Sequence, residues 1–179
     1  MSSTTDTPNR AERFLGRLRK ITNDRGKMAA LRRGASSSTE RQAWPVIYSL
    51  GEDISSHAAC TIAALYANHP EEDSKAFSFG STCRRIATDN GKDFDIPESY
   101  DRRFRRLLAS DSAEDAAGQL KSWIRFASAK GVGVNYEKLF WDLLSWSKHA
   151  DRTKLEWARG FWPARKETSE EPATAEAAA

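Results

Sequence analysis

The sequence predicts an all-α fold, two packed helical bundles of about nine helices in total. Three observations predict it. Apolar residues recur at helical spacing nearly throughout, polar capping residues stand just ahead of several of these runs, and no segment alternates apolar and polar residues as a half-buried strand does. The Asn90–Gly91 pair separates a helix from a polar loop and does not join two strand-like runs. There is no internal repeat.

The elements follow in order. A first helix is expected over 10–21, where Phe14, Leu15, Leu18 and Ile21 form one stripe. Asp24 suits the start and Gly34 the stop of a second, over 24–33. A third, over 38–50, is expected to be interrupted or bent at Pro45, which has no N–H to donate. An apolar fourth, over 54–69, stops before Pro70 and is followed by a loop with Glu71 and Glu72, read as solvated carboxylates. A fifth begins near Ser78, and a sixth runs over 98–110 after a polar loop. Ser112 with Asp115 marks the cap of a seventh, ending at Gly131. Asn135 caps an eighth over 136–149, and Asp151 starts a ninth that Pro163 closes. Connections around residues 90–112 divide the chain into an N-terminal bundle, 10–105, and a C-terminal bundle, 106–165. The polar segments 1–9 and 166–179 are expected to be disordered tails.

Composition narrows the class. Hydrophobic residues make up 39% of the 179, with six tryptophans and eight phenylalanines to fill a core. No apolar run approaches the ~20 residues that span a bilayer, and the opening ten residues lack the basic and apolar regions of a secretory signal. Two cysteines make no disulfide framework. These features lead to the expectation of a soluble, cytoplasmic protein with no membrane contact.

Charge is unevenly spread. The formal net charge is +3, but the segment after Arg165 carries a net −3 and residues 1–165 a net +6. Residues 10–33 hold nine basic side chains against Glu12 and Asp24. Such asymmetry implies an acidic partner.

Enzymatic constellations are scarce. Lys92 follows Gly91 without the partner glycine of a phosphate-binding loop. Ser145 and Lys148 have the spacing of a serine–lysine pair but lack its companion motifs and sit among core tryptophans. His57 and Cys60 lie one turn apart, and a metal site would still need Cys83 or His69; a packed cysteine and an edge histidine explain them better. No catalytic residue, metal or cofactor is expected.

The basic residues say more. In "YDRRFRRLL", Tyr100, Phe104, Leu107 and Leu108 share one helix face and Arg102, Arg103, Arg105 and Arg106 the other. Like charges at this spacing destabilise a helix by a few tenths of a kcal/mol, with only Glu98 and Asp101 near enough to offset them. A multivalent anion offsets them far better. In the first helix Arg10, Arg13, Arg17 and Lys20 oppose the apolar stripe. In the second, Met28 and Leu31 face inward while Lys27, Arg32 and Arg33 flank them or point away. Lys121 and Arg125 stand one turn apart beside Leu120 and Ile124. Arg84 and Arg85 are expected to open a helix, where free backbone N–H groups favour an anion. A solvated face explains any one cluster; five together favour binding of a nucleic-acid backbone, by charge and shape and not by sequence. The alternative is a basic helical adaptor that binds an acidic protein and touches no nucleic acid.

The order of pieces resembles the CasB family, the small subunit of the type I-E CRISPR surveillance complex Cascade. "DRGKMAALRRG" is followed by "FSFG" opening a helix, then "RRFRRLLASD", "QLKSW", "VNYEKLFWDLLSWS" and a final amphipathic helix. The resemblance covers roughly residues 12 to 162. It implies an all-helical, two-lobed, non-catalytic protein without cofactors. Its partners would be the other Cascade subunits, a second copy of itself packed head to tail, the crRNA, and target DNA held in an R-loop by a basic groove. By position, Arg32 and Arg33 match the family's basic pair after the Asp-x-Gly element, Arg102 and Arg103 a later pair, and Lys121 a basic position in the next helix. The family pattern has an arginine near the start of the fourth helix, where this chain has Ser55 and Ser56, and another where it has Ser112. Arg105, Arg106 and Arg125 are the candidates for replacement charge.

Overall fold

The structure, a computed structural model, describes residues 7–36, 38–91 and 95–162. Among the described residues there are nine α-helices: α1 (Thr7–Lys20), α2 (Arg25–Arg33), α3 (Trp44–Ser49), α4 (His57–Asn68), α5 (Phe79–Ala87), α6 (Glu98–Leu108), α7 (Ala113–Lys130), α8 (Tyr136–Leu144) and α9 (Trp146–Phe161). One 3-10 turn, Glu40–Gln42, precedes α3. An isolated parallel bridge between Glu72 and Val134 is the one β-type pairing among these residues.

The helices start where local chemistry satisfies their free N–H groups. Asp24 accepts from the Lys27 N–H at 3.0 Å, and Asn135 from the Lys138 N–H at 3.0 Å. Ser112 and Asp115 form a reciprocal capping box, and Ser78 and Ser81 form another. Gly131 ends α7 at φ 61°, a left-handed position that suits glycine.

Three helix ends refine the sequence reading. Gly34 ends α2 in right-handed geometry, and its missing side chain serves contact instead: a Cβ there would stand 2.7 Å from the Cβ of Ala43. The third helix is interrupted: a 3-10 turn, Glu40–Gln42, stands apart from α3, and Pro45 sits in the first turn of α3, which has N–H groups to spare. The eighth helix ends at Leu144, where the Ser145 hydroxyl donates to the Trp141 carbonyl at 2.8 Å. The span Trp146–Phe161 is itself broken by non-helical geometry at His149 (φ −135°), next to the start expected at Asp151.

One continuous core joins both halves of the chain. Helix α4 runs through its middle, buried on nearly every side, and meets α2, α7 and α8. Helix α5 lies along α9. The division expected between residues 105 and 106 falls inside α6. Of the expected tails, residues 7–9 are the first residues of α1; residues 1–6 and 166–179 lie outside the described residues.

Two glycines set the α5–α9 crossing. A Cβ on Gly80 would overlap the Trp157 carbonyl, and one on Gly160 would overlap Ser78 and stand 2.7 Å from the Ser81 nitrogen. The approach is backbone against backbone. It brings Trp157 beside Phe79, with ring centroids 5.5 Å apart, and lets its Nε1 donate to Asp142 at 2.7 Å. Burial pushes the Asp142 carboxyl up from its ordinary range, against hydrogen bonds from Lys138 (2.6 Å) and Trp157 that favour the charged form. At the far end of α9, Phe161 stacks on Phe104 of α6 at 3.9 Å between centroids, and Trp162 Nε1 donates to Asp101 at 2.8 Å.

Gly80→Ala should lower stability by roughly 3 kcal/mol, the upper end of what overpacking costs, although alanine is ordinarily the better helix former by ~1 kcal/mol. A denaturant titration showing a stabilised variant would refute the close crossing. Phe104→Ala, at a fully buried ring, should cost about 3–5 kcal/mol in the same assay.

Asp101 supplies a pH signature. The hydrogen bond from Arg105 (2.6 Å) holds its carboxyl below the usual range, with Trp162 adding to the effect and burial opposing it. A depressed carboxylate stabilises the fold above its unfolded pKa of about 3.9, and this stabilisation is lost as pH falls through the lower folded value. The stability gap between wild type and Asp101→Asn should therefore narrow as pH drops below about 4. A gap that stays constant in urea titrations from pH 7 to pH 3 would contradict this reading.

Candidate nucleic-acid interface

Helix α6 is built to present charge. Glu98 and Asp101 occupy its first turn and Arg105 and Arg106 its last, each sign complementing the helix dipole. Phe104 and Leu107 are buried, Tyr100 and Leu108 half-buried, and all four arginines are exposed. They are not equivalent. Arg102 lies 3.7 Å from Glu98, and Arg105 bonds Asp101 and lies over the Trp162 ring at 5.0 Å. Arg103 and Arg106 have no carboxylate partner among the described residues.

Helix α7 lies alongside. Leu120, Trp123, Ile124 and Ala127 face the core, which leaves Lys121 and Arg125 one turn apart on the flank. Lys121 Nζ donates to the carbonyl of Ala35, just past α2, and ties the end of α2 to α7. One turn further, Arg125 lines a groove of about 350 Å³ together with Arg103, Ser122, Phe126 and Ala129. No carboxylate lines it. The Arg103 guanidinium lies 5.2 Å over the Phe126 ring, and Lys130 lies 5.3 Å over Tyr100 while donating to the Ile86 carbonyl.

The α2 residues sit at the other end of this strip. Lys27 pairs with Asp24 at 3.2 Å, Arg32 donates to the Ala67 carbonyl at 2.8 Å, and Arg33 donates to the Gln42 side-chain oxygen at 3.1 Å. A carbonyl or amide partner fixes a guanidinium without neutralising it, so Arg32 and Arg33 keep their charge on an exposed surface. Carboxylates do neutralise part of α1, where Arg10 pairs with Glu52 and Arg19 with Glu72, each at 2.6 Å. Arg17 donates to the Leu50 carbonyl at 2.6 Å.

Arg84 and Arg85 require a correction. They stand in the last turn of α5 and not at its start, so they face the carbonyl end of the helix. Both are half-buried; Arg84 donates to the Phe161 carbonyl at 3.1 Å, and Arg85 pairs with Asp73. Arg84 braces α5 against α9, Arg85 ties α5 to the loop that precedes it, and neither lines the α6–α7 groove. The structure thus brings Arg103 and Arg125 to one groove between α6 and α7, ties Lys121 to the carbonyl just past α2, and leaves Arg84 and Arg85 apart. Phe126, Ser122 and Ala129 belong to the groove without having stood out in the sequence. Phe126 lies beside the charged position 125, the one signal pointing to it.

A larger cleft of about 570 Å³ lies where the end of α2 and the start of α4 meet α7. Glu40 and Glu114 line it beside His57, Cys60 and Lys121, so two carboxylates make it unsuited to phosphates. Cys83 is fully buried and His69 donates to the Val132 carbonyl at 2.8 Å. No group of three or more His, Cys, Asp or Glu side chains among the described residues is placed to hold a metal. The Ser145 hydroxyl is committed to a backbone carbonyl. None of the described helices is long and apolar enough to cross a membrane.

A family model described as CRISPR-associated protein Cse2 matches residues 27–162. The chain is similar to the crystal structure of a Cse2-family CRISPR-associated protein from Thermus thermophilus, with a TM-score of 0.66 and 22% identity over 84% of this chain and 96% of that one. It is similar to CasB from Thermobifida fusca (TM-score 0.66, 19% identity, 89% of this chain and 99% of that one). It is also similar to CasB from M. ruber (TM-score 0.63, 18% identity, 83% and 92%). A search of curated protein sequences found no match. At these identities the structures establish the fold, while the family model covers most of the chain. A helical fold shared along almost the whole length, together with that match, places the protein: the chain belongs to the Cse2 (CasB) family, the CRISPR-associated small subunits of the type I-E Cascade complex.

Proposed function

We propose that this chain is a non-catalytic subunit that binds nucleic-acid backbone along the strip from α2 over α7 to α6, and so stabilises the R-loop between crRNA and target DNA. The observation that carries the reading is a pair of exposed guanidinium groups, Arg103 and Arg125, which no carboxylate of the described residues pairs with and which face one groove that none of those carboxylates lines. Cations left uncompensated at close range are costly to the free protein and favourable to a polyanion, which brings repeated phosphates at short spacing. Arginine suits the task because its planar fork meets two phosphate oxygens at once. Arg32, Arg33, Lys27, Arg102, Arg105 and Arg106 add field around the groove, while Lys121, beside Glu40 and Glu114, adds less. The crRNA, target DNA, the other Cascade subunits and a second copy of the chain are the partners this role requires, in the cytoplasm.

The reading is tested by salt. Binding of single strands should weaken with a log–log slope of about −0.7 per phosphate neutralised. Changing Arg103, Arg106 and Arg125 together to alanine should shrink the slope by that amount for each phosphate no longer held, and weaken unrelated sequences about equally. The helices should survive, since alanine favours them and the buried faces are untouched. In the assembled complex the variant should still incorporate but hold opened target DNA less well. Unchanged affinity and slope would put the basic adaptor, which docks on an acidic protein surface, in its place.

A further inference from the structure

The groove between α6 and α7 contains something a phosphate clamp does not need, an aromatic ring. Phe126 is half-buried, and its orientation is fixed by edge contacts with Tyr100 (centroids 5.6 Å apart, 74° between planes) and Trp123 (6.3 Å, 76°). The Arg103 guanidinium lies over it at 5.2 Å. We propose that this notch holds one unpaired nucleotide of a single-stranded nucleic acid, the base stacking with Arg103 and Phe126 and the phosphate meeting Arg125. The inference rests on the nucleic-acid reading above and deepens it by naming the strand class.

Chemistry and size both favour this occupant. A planar guanidinium resting on an aromatic ring is part of a stack that a base continues, since every base has a π-face and guanidinium stacks on such faces. Arg125 is exposed, has no carboxylate partner among the described residues and lines the same groove, which places an anion site beside the stacking site. Ser122 adds a hydroxyl that either donates or accepts, tolerant of different base edges. The volume, about 350 Å³, is at the small end of ligand-binding spaces, enough for one nucleotide and not for a duplex. A duplex keeps its bases stacked on each other and would leave Phe126 idle.

The full-length chain is titrated, by fluorescence anisotropy, into a labelled oligothymidylate, an abasic strand of equal length, and a duplex. The oligothymidylate should bind roughly tenfold more tightly than the abasic strand, the size of effect expected for one stacked base. Phe126→Leu keeps apolar bulk but removes the ring, and should abolish that advantage while leaving abasic binding and the salt slope unchanged. Arg103→Lys keeps the charge but loses the planar face, and if Phe126→Leu fails to fold in a thermal scan it should narrow the ratio of oligothymidylate to abasic affinity. Arg125→Ala should instead shrink the slope on both single strands. Equal binding of oligothymidylate and abasic strand by the wild type, or an equal loss on both in Phe126→Leu, overturns the notch while leaving the proposed function standing. Tighter binding of the duplex overturns it too. Failure to bind any of the three overturns the proposed function and this inference with it.

Discussion

The architecture hangs on the approach of α5 to α9, where Gly80 and Gly160 let two backbones meet with nothing between them. From that crossing the rest follows by contact. Trp157 reaches Phe79 and the buried Asp142, and Phe161 reaches Phe104. Phe104 is the side chain that seats α6, and the outward aim of its arginines is the consequence of what Phe104 and Leu107 bury. The charged surface therefore depends on two residues with no side chain at all. Helix pairs usually leave 8–10 Å between axes for interlocking side chains; here the glycines remove that spacing at one point, and the aromatic residues fill the space on either side of it.

A second theme is the difference between a fixed charge and a cancelled one. Arg10, Arg19 and Arg85 meet carboxylates, and their charge is largely spent within the protein. Arg17, Arg32, Arg84, Lys121 and Lys130 meet carbonyl oxygens. Those bonds hold the cation in place while its field still reaches outward. The basic surface is thus partly pre-ordered, which reduces the side-chain entropy lost when a ligand arrives. Among the described residues Arg103, Arg106 and Arg125 meet neither kind of partner, and they are the side chains with most left to gain from an anion.

Much of this was legible in the sequence, for local reasons. The caps at Asp24, Ser112 and Asn135, the stop at Gly131 and the two-faced character of α6 depend on residues within one or two turns of each other. What escaped it is set at a distance. The early end of the eighth helix at Leu144 precedes Trp146, whose ring lies 5.5 Å from that of Trp157, a packing partner eleven residues on. The basic pair in α5 looked like a helix opening, yet Ser78 and Ser81 already supply the cap and push both arginines to the other end. Arg103 and Arg125 were recognised as basic but not as neighbours, because the groove they share, and Phe126 within it, exists only once α6 lies against α7. Sequence therefore located the charge and its helices; which charges remain unspent is decided by tertiary contact.

The long span of the α5–α9 contact bears on how the chain is made. Arg84 waits for the carbonyl of Phe161, 77 residues later. At a synthesis rate of about 5–20 residues per second, that interval is roughly 4–15 s. Throughout it the inner face of α5, with Phe79, Cys83 and Ile86, has emerged without its cover. Part of the apolar face of α5 is thus covered only after α9, the last of the described helices, has been made.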